Sequence, residues 1–350
     1  MRVVVTGATG NVGTSVVEAL SADSRVSEIV GLARRAPEWK VPRTSWATAD
    51  VSQTRLEPLF EGADAVVHLA WAIQPARDQR LVHAINVDGS RRVFEAAAAA
   101  GVGALVHASS VGVYSPGPKD RRVGEGWPTD GIPTSFYSRH KVAAERALDD
   151  VERANPGLRV VRLRPGLIFK REAASGIRRL FAGPLLPSPL LRSELIGVVP
   201  SHPRLRVQAE HSRDVAEAYR LAVVDASARG AYNVAAEPVL DGAELGRLLG
   251  ARPVPVPADL LRRITAASFA LRLQPTSAGW LDLALGVPLL DTTRAREELG
   301  WEPRHTAGEA LLELIGGMRG SAGMPTPPLH PDTGGPLRIR EFLSGLGART

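Results

Sequence analysis

The fold is decided by residues 2–13, which read RVVVTGATGNVG. The run Arg2–Thr6 is short and apolar and predicts a strand, and apolar residues with helical spacing begin after Asn11. Between the two, three glycines follow the spacing G-x-x-G-x-x-G: Gly7, Gly10 and Gly13. Glycine permits a tight turn and a close approach of the backbone to a diphosphate, whose charge the helix N-terminus attracts. A strand, a glycine turn and a helix in this order predict a dinucleotide-binding unit; a plain tight turn is the weaker alternative.

The same alternation of strand and helix patterns continues through the first 165 residues. Further strands are predicted at 28–33, 45–49, 63–70, 104–109 and 159–163, and helices at 11–21, 77–100 and 135–154. Continuous apolar strands separated by helices predict an α/β fold with a Rossmann-type doubly wound parallel sheet, covered by helices on both faces. Residues 1–165 are therefore predicted to form an NAD(P)-binding Rossmann domain.

The pattern changes after Pro165, where five prolines between residues 184 and 203 divide the chain into short pieces. Shorter elements follow, with a predicted strand at 231–235 and helices at 214–224, 241–249, 258–271 and 306–318. Residues 166–318 are predicted to form a smaller C-terminal substrate lobe, interleaved with the last strands of the sheet. Residues 319–350 are predicted to be a flexible tail, because 320–336 are rich in Gly, Pro, Ser and Thr, with a short helix at Leu337–Leu346.

Composition excludes several classes of protein. At 350 residues, 44% hydrophobic and 23% charged, the chain is neither disordered nor fibrous, and without cysteine it has no disulfide or thiolate site. The net charge of +6 comes from scattered basic residues, which disfavours nucleic acid as a partner. No apolar run is long enough to span a membrane, and the N-terminus lacks a secretory pattern, so a cytoplasmic protein is expected. The eight histidines show no metal-binding spacing, so no metal site is predicted.

The end of the second strand predicts which cofactor is preferred. Sites that prefer NAD place an acidic residue here to hold the ribose 2′-hydroxyl, but this chain has Ala33, followed by Arg34 and Arg35. A guanidinium attracts the 2′-phosphate that an acidic residue would repel. We therefore expect NADP(H) to be favoured over NAD(H), with Arg34 as the main contact; two solvated surface arginines are the alternative.

Two further strand ends point to the same cleft. Asp50 and Val51 close the third strand, where a carboxylate can accept from the adenine amino group, although Asp50 as a helix cap is an equal alternative. Leu69, Ala70 and Trp71 follow the fourth strand, where the ligand crevice of open α/β sheets lies.

A tyrosine and a lysine mark the reacting centre. Tyr137 and Lys141 are four residues apart on a predicted helix, which places both side chains on one face. A nearby ammonium lowers the pKa of a phenol, so Tyr137 is predicted to exchange a proton with an alcohol or carbonyl oxygen. Ser109 and Ser110 end the fifth strand, and Ser110 can hold the substrate oxygen beside Tyr137. The alternatives are a surface helix pair and an ordinary serine turn.

Over about residues 1–318 the chain resembles an extended short-chain dehydrogenase/reductase of the NAD-dependent epimerase/dehydratase type. The resemblance rests on the glycine motif, on the serines and Tyr114 of 109–114, on Tyr137-x-x-x-Lys141, and on short matches at 86–89, 164–166 and 231–234. It implies that Ser110, Tyr137 and Lys141 are catalytic, with Lys141 also binding the nicotinamide ribose. It further implies that Asn86, Pro165 and Gly166 line the cofactor. Together with the positions considered above, the residues predicted to contact the cofactor are Gly7, Thr9, Gly10, Asn11, Val12, Gly13, Arg34, Arg35, Asp50, Val51, Leu69, Ala70, Trp71, Asn86, Ser109, Tyr137, Lys141, Pro165 and Gly166.

One departure from the family pattern bears on the substrate. Nucleotide-sugar members usually carry an asparagine two residues after Pro165, where this chain has Leu167. A carbonyl reductase or dehydrogenase acting at a secondary alcohol or carbonyl is therefore favoured; the alternatives are a nucleotide-sugar epimerase or dehydratase and a non-catalytic NADP(H)-binding regulator. A small-molecule substrate is expected in a hydrophobic pocket, with Trp71, Ile73, Phe169, Phe181, Leu185 and Leu186 as candidates for its lining. The resemblance also implies a possible homodimer through helices 77–100 and 135–154.

Overall fold

A seven-stranded parallel sheet forms the centre of the fold. The structure is a computed structural model and describes residues 1–73, 78–182 and 197–331. The strands are β1 (Arg2–Thr6), β2 (Glu28–Ala33), β3 (Thr44–Thr48), β4 (Ala65–His68), β5 (Ala104–Ala108), β6 (Arg122–Val123), β7 (Arg159–Pro165), β8 (Leu167–Phe169), β9 (Val198–Ser201), β10 (Val207–His211), β11 (Gly230–Val234), β12 (Ala236–Leu240), β13 (Arg252–Pro255) and β14 (Leu289–Leu290).

Helices cover this sheet and build the second lobe. They are α1 (Asn11–Ala22), α2 (Glu57–Phe60), α3 (Gln79–His83), α4 (Gly89–Ala99), α5 (Phe136–Ala154), α6 (Ala174–Ile177), α7 (Ser212–Val224), α8 (Gly242–Leu249), α9 (Ala258–Ala270), α10 (Ala278–Gly286), α11 (Thr293–Leu299) and α12 (Ala307–Arg319). Among the residues described, no helix has the length and apolar character needed to cross a bilayer.

The strand order of the large sheet is β11-β7-β5-β4-β1-β2-β3, and all its pairs are parallel. Successive strand residues point to opposite faces, so Val3 and Val5 enter a core shared with α1 and α7, whereas Val4 enters a second core with α4 and α5. The order reverses beside β1, which pairs with both β2 and β4, and ligands of open α/β sheets bind at such a reversal. The Rossmann-type doubly wound parallel sheet is therefore confirmed.

The second lobe is interleaved with the first domain. A three-stranded sheet of β8, β10 and β12 and two short pairs, β9 with β13 and β6 with β14, stand beside the large sheet. The strand β11 comes late in the chain but completes the large sheet by pairing with β7. A boundary at residue 165 therefore separates most, but not all, of the Rossmann strands from the lobe.

The long helix predicted over 77–100 is interrupted. Between α3 and α4 the chain makes one wider π-helical turn, at Ala84–Asp88. The buried Asn86 lies in this turn, where its side chain both donates to and accepts from the backbone of Ala72. A wider turn re-aims one side chain within a helix, and here it fastens the helix to the segment after β4.

Part of the C-terminal segment is packed rather than flexible. Thr326 is 1% exposed and Leu329 is also buried, and the Ser175 hydroxyl donates to the Ala322 carbonyl at 2.9 Å. Residues 320–330 have no regular secondary structure, but these contacts hold them against the domain. The predicted helix at Leu337–Leu346 and the residues Leu185 and Leu186 lie outside the described residues.

Candidate active site

The glycine turn lies where the strand order reverses. Gly7 has a φ of +69°, and a Cβ there would lie 2.6 Å from the backbone nitrogen of Ala70, just past β4. A Cβ on Gly13 would overlap the carbonyl oxygen of Gly7. Only glycine fits these two positions, so the G-x-x-G-x-x-G spacing reflects a turn that packs backbone directly against backbone.

The first turn of α1 fits a diphosphate. Gly10 is its N-cap residue and has no side chain to satisfy the free N–H groups, and the first backbone bond back into the turn runs from Thr14 to Gly10. The N–H groups of Asn11, Val12 and Gly13 are therefore without a hydrogen-bond partner in the described part of the chain. Free N–H groups at the positive end of a helix are what a diphosphate needs.

Two side-chain contacts fix this loop from the other half of the chain. The Asn11 amide donates to the Ile168 carbonyl in β8 at 3.0 Å, and the Thr326 hydroxyl donates to the Thr9 carbonyl at 3.0 Å. The Asn11 Oδ1 atom is buried and accepts no hydrogen bond from the described residues. Thr9 and Asn11 thus connect the glycine loop to the second lobe and to the C-terminal segment.

The end of β2 brings both arginines beside the loop. The Leu32 carbonyl accepts from the backbone nitrogen of Gly7 at 3.1 Å, which places the glycine turn next to the residues that follow β2. Arg34 and Arg35 are exposed there, and the preceding residue is the buried Ala33, not an acidic residue.

Asp50 and Val51 have structural contacts at the end of β3. The Asp50 carboxylate accepts from the backbone N–H of Ser52 at 2.9 Å and from its hydroxyl at 2.6 Å, which closes a local turn and is not the helix cap considered as an alternative. Val51 is buried in the second core, and its carbonyl accepts from the Arg92 guanidinium.

The segment after β4 is held from behind by Asn86. Leu69 donates its backbone N–H to the Thr6 carbonyl at 3.1 Å, and Ala70 packs against Gly7, so the segment follows the glycine turn. Asn86 is fully buried and uses its amide on the Ala72 backbone. Its described contacts therefore position this segment, and the direct contact with the cofactor that the resemblance implies stays a prediction.

Tyr137, Lys141 and Ser110 come together at the carboxyl end of β5. Tyr137 and Lys141 occupy the first turns of α5, and the Lys141 Nζ atom lies 5.8 Å from the centre of the Tyr137 ring. That ammonium donates to the Ala108 carbonyl at 2.6 Å. The Ser110 hydroxyl and the Tyr137 ring both lie against Gly112, whose backbone N–H donates to Ser110 at 3.0 Å. The three residues chosen from spacing and strand ends thus share one site.

The pKa values in this site run opposite to the expectation. Burial raises the pKa of Tyr137 to about 12, and the nearby Ser110 hydroxyl only partly opposes this rise. Burial also lowers the pKa of Lys141 to about 7. For the chain alone the pKa of Tyr137 is therefore raised, in the direction opposite to the expected one. Burial stabilises the neutral form of each group. At the distance between them, this effect outweighs the stabilisation that the charge on one group would give to the charge on the other.

Aromatic rings surround Tyr137. The Lys141 Nζ atom lies 3.5 Å above the Trp71 ring, and Trp71 meets the Tyr137 ring at 6.0 Å in an edge contact. Trp280 of α10 lies closer, with ring centres 4.8 Å apart, and Phe181 contacts Trp280 at 5.1 Å. The indole N–H groups of Trp71 and Trp280 are buried, and neither has a hydrogen-bond partner in the described ranges. Two N–H hydrogen-bond donors without a described partner therefore lie in the aromatic group around the Tyr137 phenol.

Sequence reasoning missed Trp280 and α10. Every position of α10 apart from Asp282 is apolar or glycine, so its sequence lacks the alternation of apolar and polar residues that marks an amphipathic helix. Of the pocket candidates, Trp71 and Phe181 belong to this aromatic group, whereas Phe169 packs in the core of the second lobe.

A buried ion pair between α5 and β7 lies next to the site. Glu145, one turn beyond Lys141 on α5, accepts from Arg164 of β7 at 2.9 and 2.6 Å and also from the Ser109 hydroxyl. Arg164 in turn donates to the Tyr114 hydroxyl at 3.1 Å, which donates to Asn233 of β11 at 2.6 Å. Ser109 thus belongs to a network that joins α5 to β7 and β11. Glu145 was missed, although its i+8 spacing from Tyr137 puts it on the same helix face.

The residues after β7 form a second close backbone contact. A Cβ on Gly166 would lie 2.5 Å from the Gln208 carbonyl, so Pro165 and Gly166 bring β7 and β10 together without a side chain between them. Behind Gly166 lies the buried carboxyl of Glu210, and burial raises its pKa well above the ordinary value. Leu167, which stands at the family's asparagine position, is 43% exposed.

Two cations, Lys119 just before β6 and Arg204 between β9 and β10, bind backbone carbonyls. Lys119 donates to Arg206 and Ala284 at 2.8 Å each, and burial lowers its pKa to about 7. Arg204 donates to the Leu285 and Gly117 carbonyls. These side chains hold loops together through backbone carbonyls. In this arrangement they do not form a group of unoccupied cations that could bind the diphosphate of a nucleotide sugar. No group of three or more His, Asp or Glu side chains in the described ranges is placed to hold a metal ion.

Comparisons with known proteins agree with this architecture. The chain is 30% identical over 326 residues to the uncharacterized protein Rv2047c of Mycobacterium tuberculosis, covering 93% of this chain but only 31% of that relative's length. It is 34% identical over 179 residues to L-arabinose 1-dehydrogenase (NAD(P)(+)) of Haloferax volcanii, covering 48% of this chain and 67% of the relative. The structure of UDP-glucose 4-epimerase from Thermus thermophilus in complex with NAD shares the fold, with a TM-score of 0.66 and 24% identity over 91% of this chain and 99% of the other.

A family model gives the assignment. The model of the NAD dependent epimerase/dehydratase family matches residues 3–186, which is more than half of the 350 residues and includes the glycine turn, Ser110, Tyr137 and Lys141. The chain therefore belongs to the NAD-dependent epimerase/dehydratase family.

Proposed function

We propose that the protein catalyses NAD(P)-dependent hydride transfer at a carbon that bears a secondary alcohol or carbonyl oxygen, with Tyr137 as the acid/base. The observation that carries this proposal is the convergence of Tyr137, Lys141 and Ser110 at the end of β5, in the sheet whose glycine turn fits a diphosphate. The bound nicotinamide would supply or accept the hydride. The glycine turn and the first turn of α1 would hold its diphosphate, and Lys141 would lie toward its ribose.

The protein's own groups would handle the proton. With a pKa of about 12, Tyr137 is protonated at neutral pH and is ready to donate to a carbonyl oxygen. Ser110 would hold that oxygen, and a charged Lys141 would stabilise the phenolate that is left. This protonation state favours reduction of a carbonyl over oxidation of an alcohol.

The cofactor preference is part of the proposal. Arg34 is exposed beside the glycine turn and Ala33 offers no carboxylate to a ribose 2′-hydroxyl, which supports NADP(H) over NAD(H). The Arg34→Ala variant should weaken NADP+ binding by about tenfold and leave NAD+ binding within about twofold, because only the former carries the 2′-phosphate. Calorimetric titration with both cofactors measures this, and tighter binding of NAD+ by the unaltered protein contradicts it.

A second candidate is a nucleotide-sugar epimerase or dehydratase. The family's name and solved structures such as the Thermus epimerase with NAD support it at least as well as a net reductase. Leu167, the carbonyl-bound Arg204 and the sugar dehydrogenase of Haloferax support a net dehydrogenase or reductase.

One assay separates the two candidates. The protein is incubated with UDP-glucose, with L-arabinose and with a panel of apolar ketones, each with NAD(H) or NADP(H) in excess, while reduced nicotinamide absorbance and product are followed. An epimerase or a dehydratase converts the nucleotide sugar with no net change in reduced cofactor, whereas a dehydrogenase or reductase changes it in proportion to product. Tyr137→Phe should lower turnover by about 10²–10⁴-fold and leave cofactor binding within about twofold. A fully active Tyr137→Phe variant contradicts the acid/base role, and a protein that binds cofactor but turns over no member of the panel supports a regulator.

A further inference from the structure

A buried lysine lies behind the glycine turn. Lys170 follows β8 and is only 3% exposed. Its ammonium donates to the hydroxyls of Thr14 at 2.5 Å and Ser15 at 3.1 Å, and the thioether sulfur of Met324 lies 3.9 Å away. Thr14 donates its own hydroxyl proton to the Gly10 carbonyl at 3.0 Å, so one hydroxyl connects the ammonium to the turn itself.

This ammonium has no carboxylate beside it. Among the described residues, no acidic side chain forms an ion pair with Lys170; the charged groups that face it at longer range are Glu18, Glu172, Glu313 and Arg213. Glu313 is already engaged, since it pairs with His211 at 3.3 Å. Burial outweighs these long-range attractions and lowers the pKa of Lys170 to about 8.

The position makes this charge more unusual. Thr14 and Ser15 lie at the N-terminal end of the twelve-residue helix α1, whose free N–H groups already make that end positive. A cation placed there is repelled by the positive end of the helix dipole, and burying a cation that has no carboxylate beside it costs free energy. An anion at the glycine turn would offset both, because it attracts the ammonium and the N–H groups together.

We propose that Lys170 is a determinant of affinity for the diphosphate of the cofactor, and that binding of the diphosphate draws a proton onto Lys170. The inference rests on the proposed function only in placing the dinucleotide at the glycine turn, and it does not require turnover. Lys170 would act through Thr14 and the helix end, as a positioning residue, without touching the reacting atoms. It explains why a lysine with hydroxyl partners is buried where a neutral side chain would pack.

Calorimetry with ADP-ribose tests this directly, because ADP-ribose carries the diphosphate without the nicotinamide and does not itself titrate near pH 8. Titrations between pH 7 and 9.5 in buffers of different ionisation enthalpy give the number of protons taken up. We expect uptake of about half a proton near pH 8.5 and an affinity that falls by about sixfold from pH 7.5 to 9.5, as for a group whose pKa rises by about one unit on binding. Adenosine, which lacks the diphosphate, should show neither effect.

Substitutions assign the effect to Lys170. Lys170→Met and the more polar Lys170→Gln should bind ADP-ribose about tenfold more weakly at pH 7.5 and lose the proton uptake, whereas Lys40→Met removes one exposed charge and should change neither. Thermal melts check that each variant is folded. Absence of proton uptake by the unaltered protein, or unchanged uptake in both Lys170 variants, overturns the proposal. Tyr137→Phe separates it from the catalytic role, because that variant should keep both the affinity and the uptake.

Discussion

At the scale of single residues, the site shows how burial changes groups that spacing alone identifies. The i and i+4 positions of Tyr137 and Lys141 place them on one helix face, and the structure brings both to Ser110. The sequence does not reveal that the ammonium is desolvated, held by the Ala108 carbonyl and covered by the Trp71 ring. Residue identity and spacing predict which groups meet, but their pKa values depend on neighbours that are distant in sequence.

The pKa of Lys141 makes a pH prediction. A lysine with a pKa of about 7 carries its charge below that pH and loses it above. If the ammonium stabilises the phenolate, kcat/KM for carbonyl reduction is constant below about pH 6.5 and falls by about tenfold per pH unit above about 7.5. Rates measured from pH 5.5 to 9 at saturating cofactor check the profile. Lys141→Arg stays charged over this range and should flatten the descending limb; a descending limb that persists in Lys141→Arg assigns the titration to another group.

At the scale of secondary-structure elements, the sequence pattern predicts those strands and helices whose positions depend on residues adjacent in the chain. The strand β1, the glycine turn and α1 follow one another directly, and their bounds agree with the pattern to within a residue. The helix α10 and the π-helical turn at Ala84–Asp88 could not be predicted this way. The first has no amphipathic spacing, and the second exists because Asn86 reaches the Ala72 backbone. Both positions depend on a tertiary contact that no short window of sequence contains.

The contact between α5 and β7 gives a stability prediction. Glu145 and Arg164 are both buried and form two hydrogen bonds, so Arg164→Met leaves a buried carboxylate with only the Ser109 hydroxyl among its described partners. We expect this variant to lose about 3–5 kcal/mol of unfolding free energy. Urea denaturation followed by circular dichroism measures the loss.

A matched double variant tests the cause of that loss. Glu145→Gln combined with Arg164→Met removes both charges, so its loss should be smaller than the sum of the two single losses by about 1–3 kcal/mol. Strictly additive losses would show that the two side chains contribute independently, and that the ion pair does not join α5 to β7 energetically.

At the scale of the whole molecule, the proposed cofactor site is assembled from three distant parts of the chain. The glycine loop comes from the N-terminus, Lys170 and Ile168 come from the segment after β7, and Thr326 comes from the C-terminal segment. The sheet is assembled in the same way, since β11 returns to pair with β7. The sequence predicts the class of fold from the first part alone. It does not predict the closure of the loop by the other parts, because those contacts join residues 156 or more positions apart.

The C-terminal contact makes a prediction about how tightly the loop is held. Thr326→Val keeps the shape of the side chain but removes the donor to the Thr9 carbonyl, which leaves a buried acceptor without that partner. Because Thr9 belongs to the glycine turn, the loss of order should appear mainly in ligand binding. We expect ADP-ribose to bind about three- to tenfold more weakly, while the free energy of unfolding falls by only about 1–2 kcal/mol. Thr326→Ser, which keeps the hydroxyl, is the matched control and should bind within about twofold of the unaltered protein. Equal affinities of the valine and serine variants would mean that the segment packs beside the loop without ordering it, and that the loop's own glycines set its conformation.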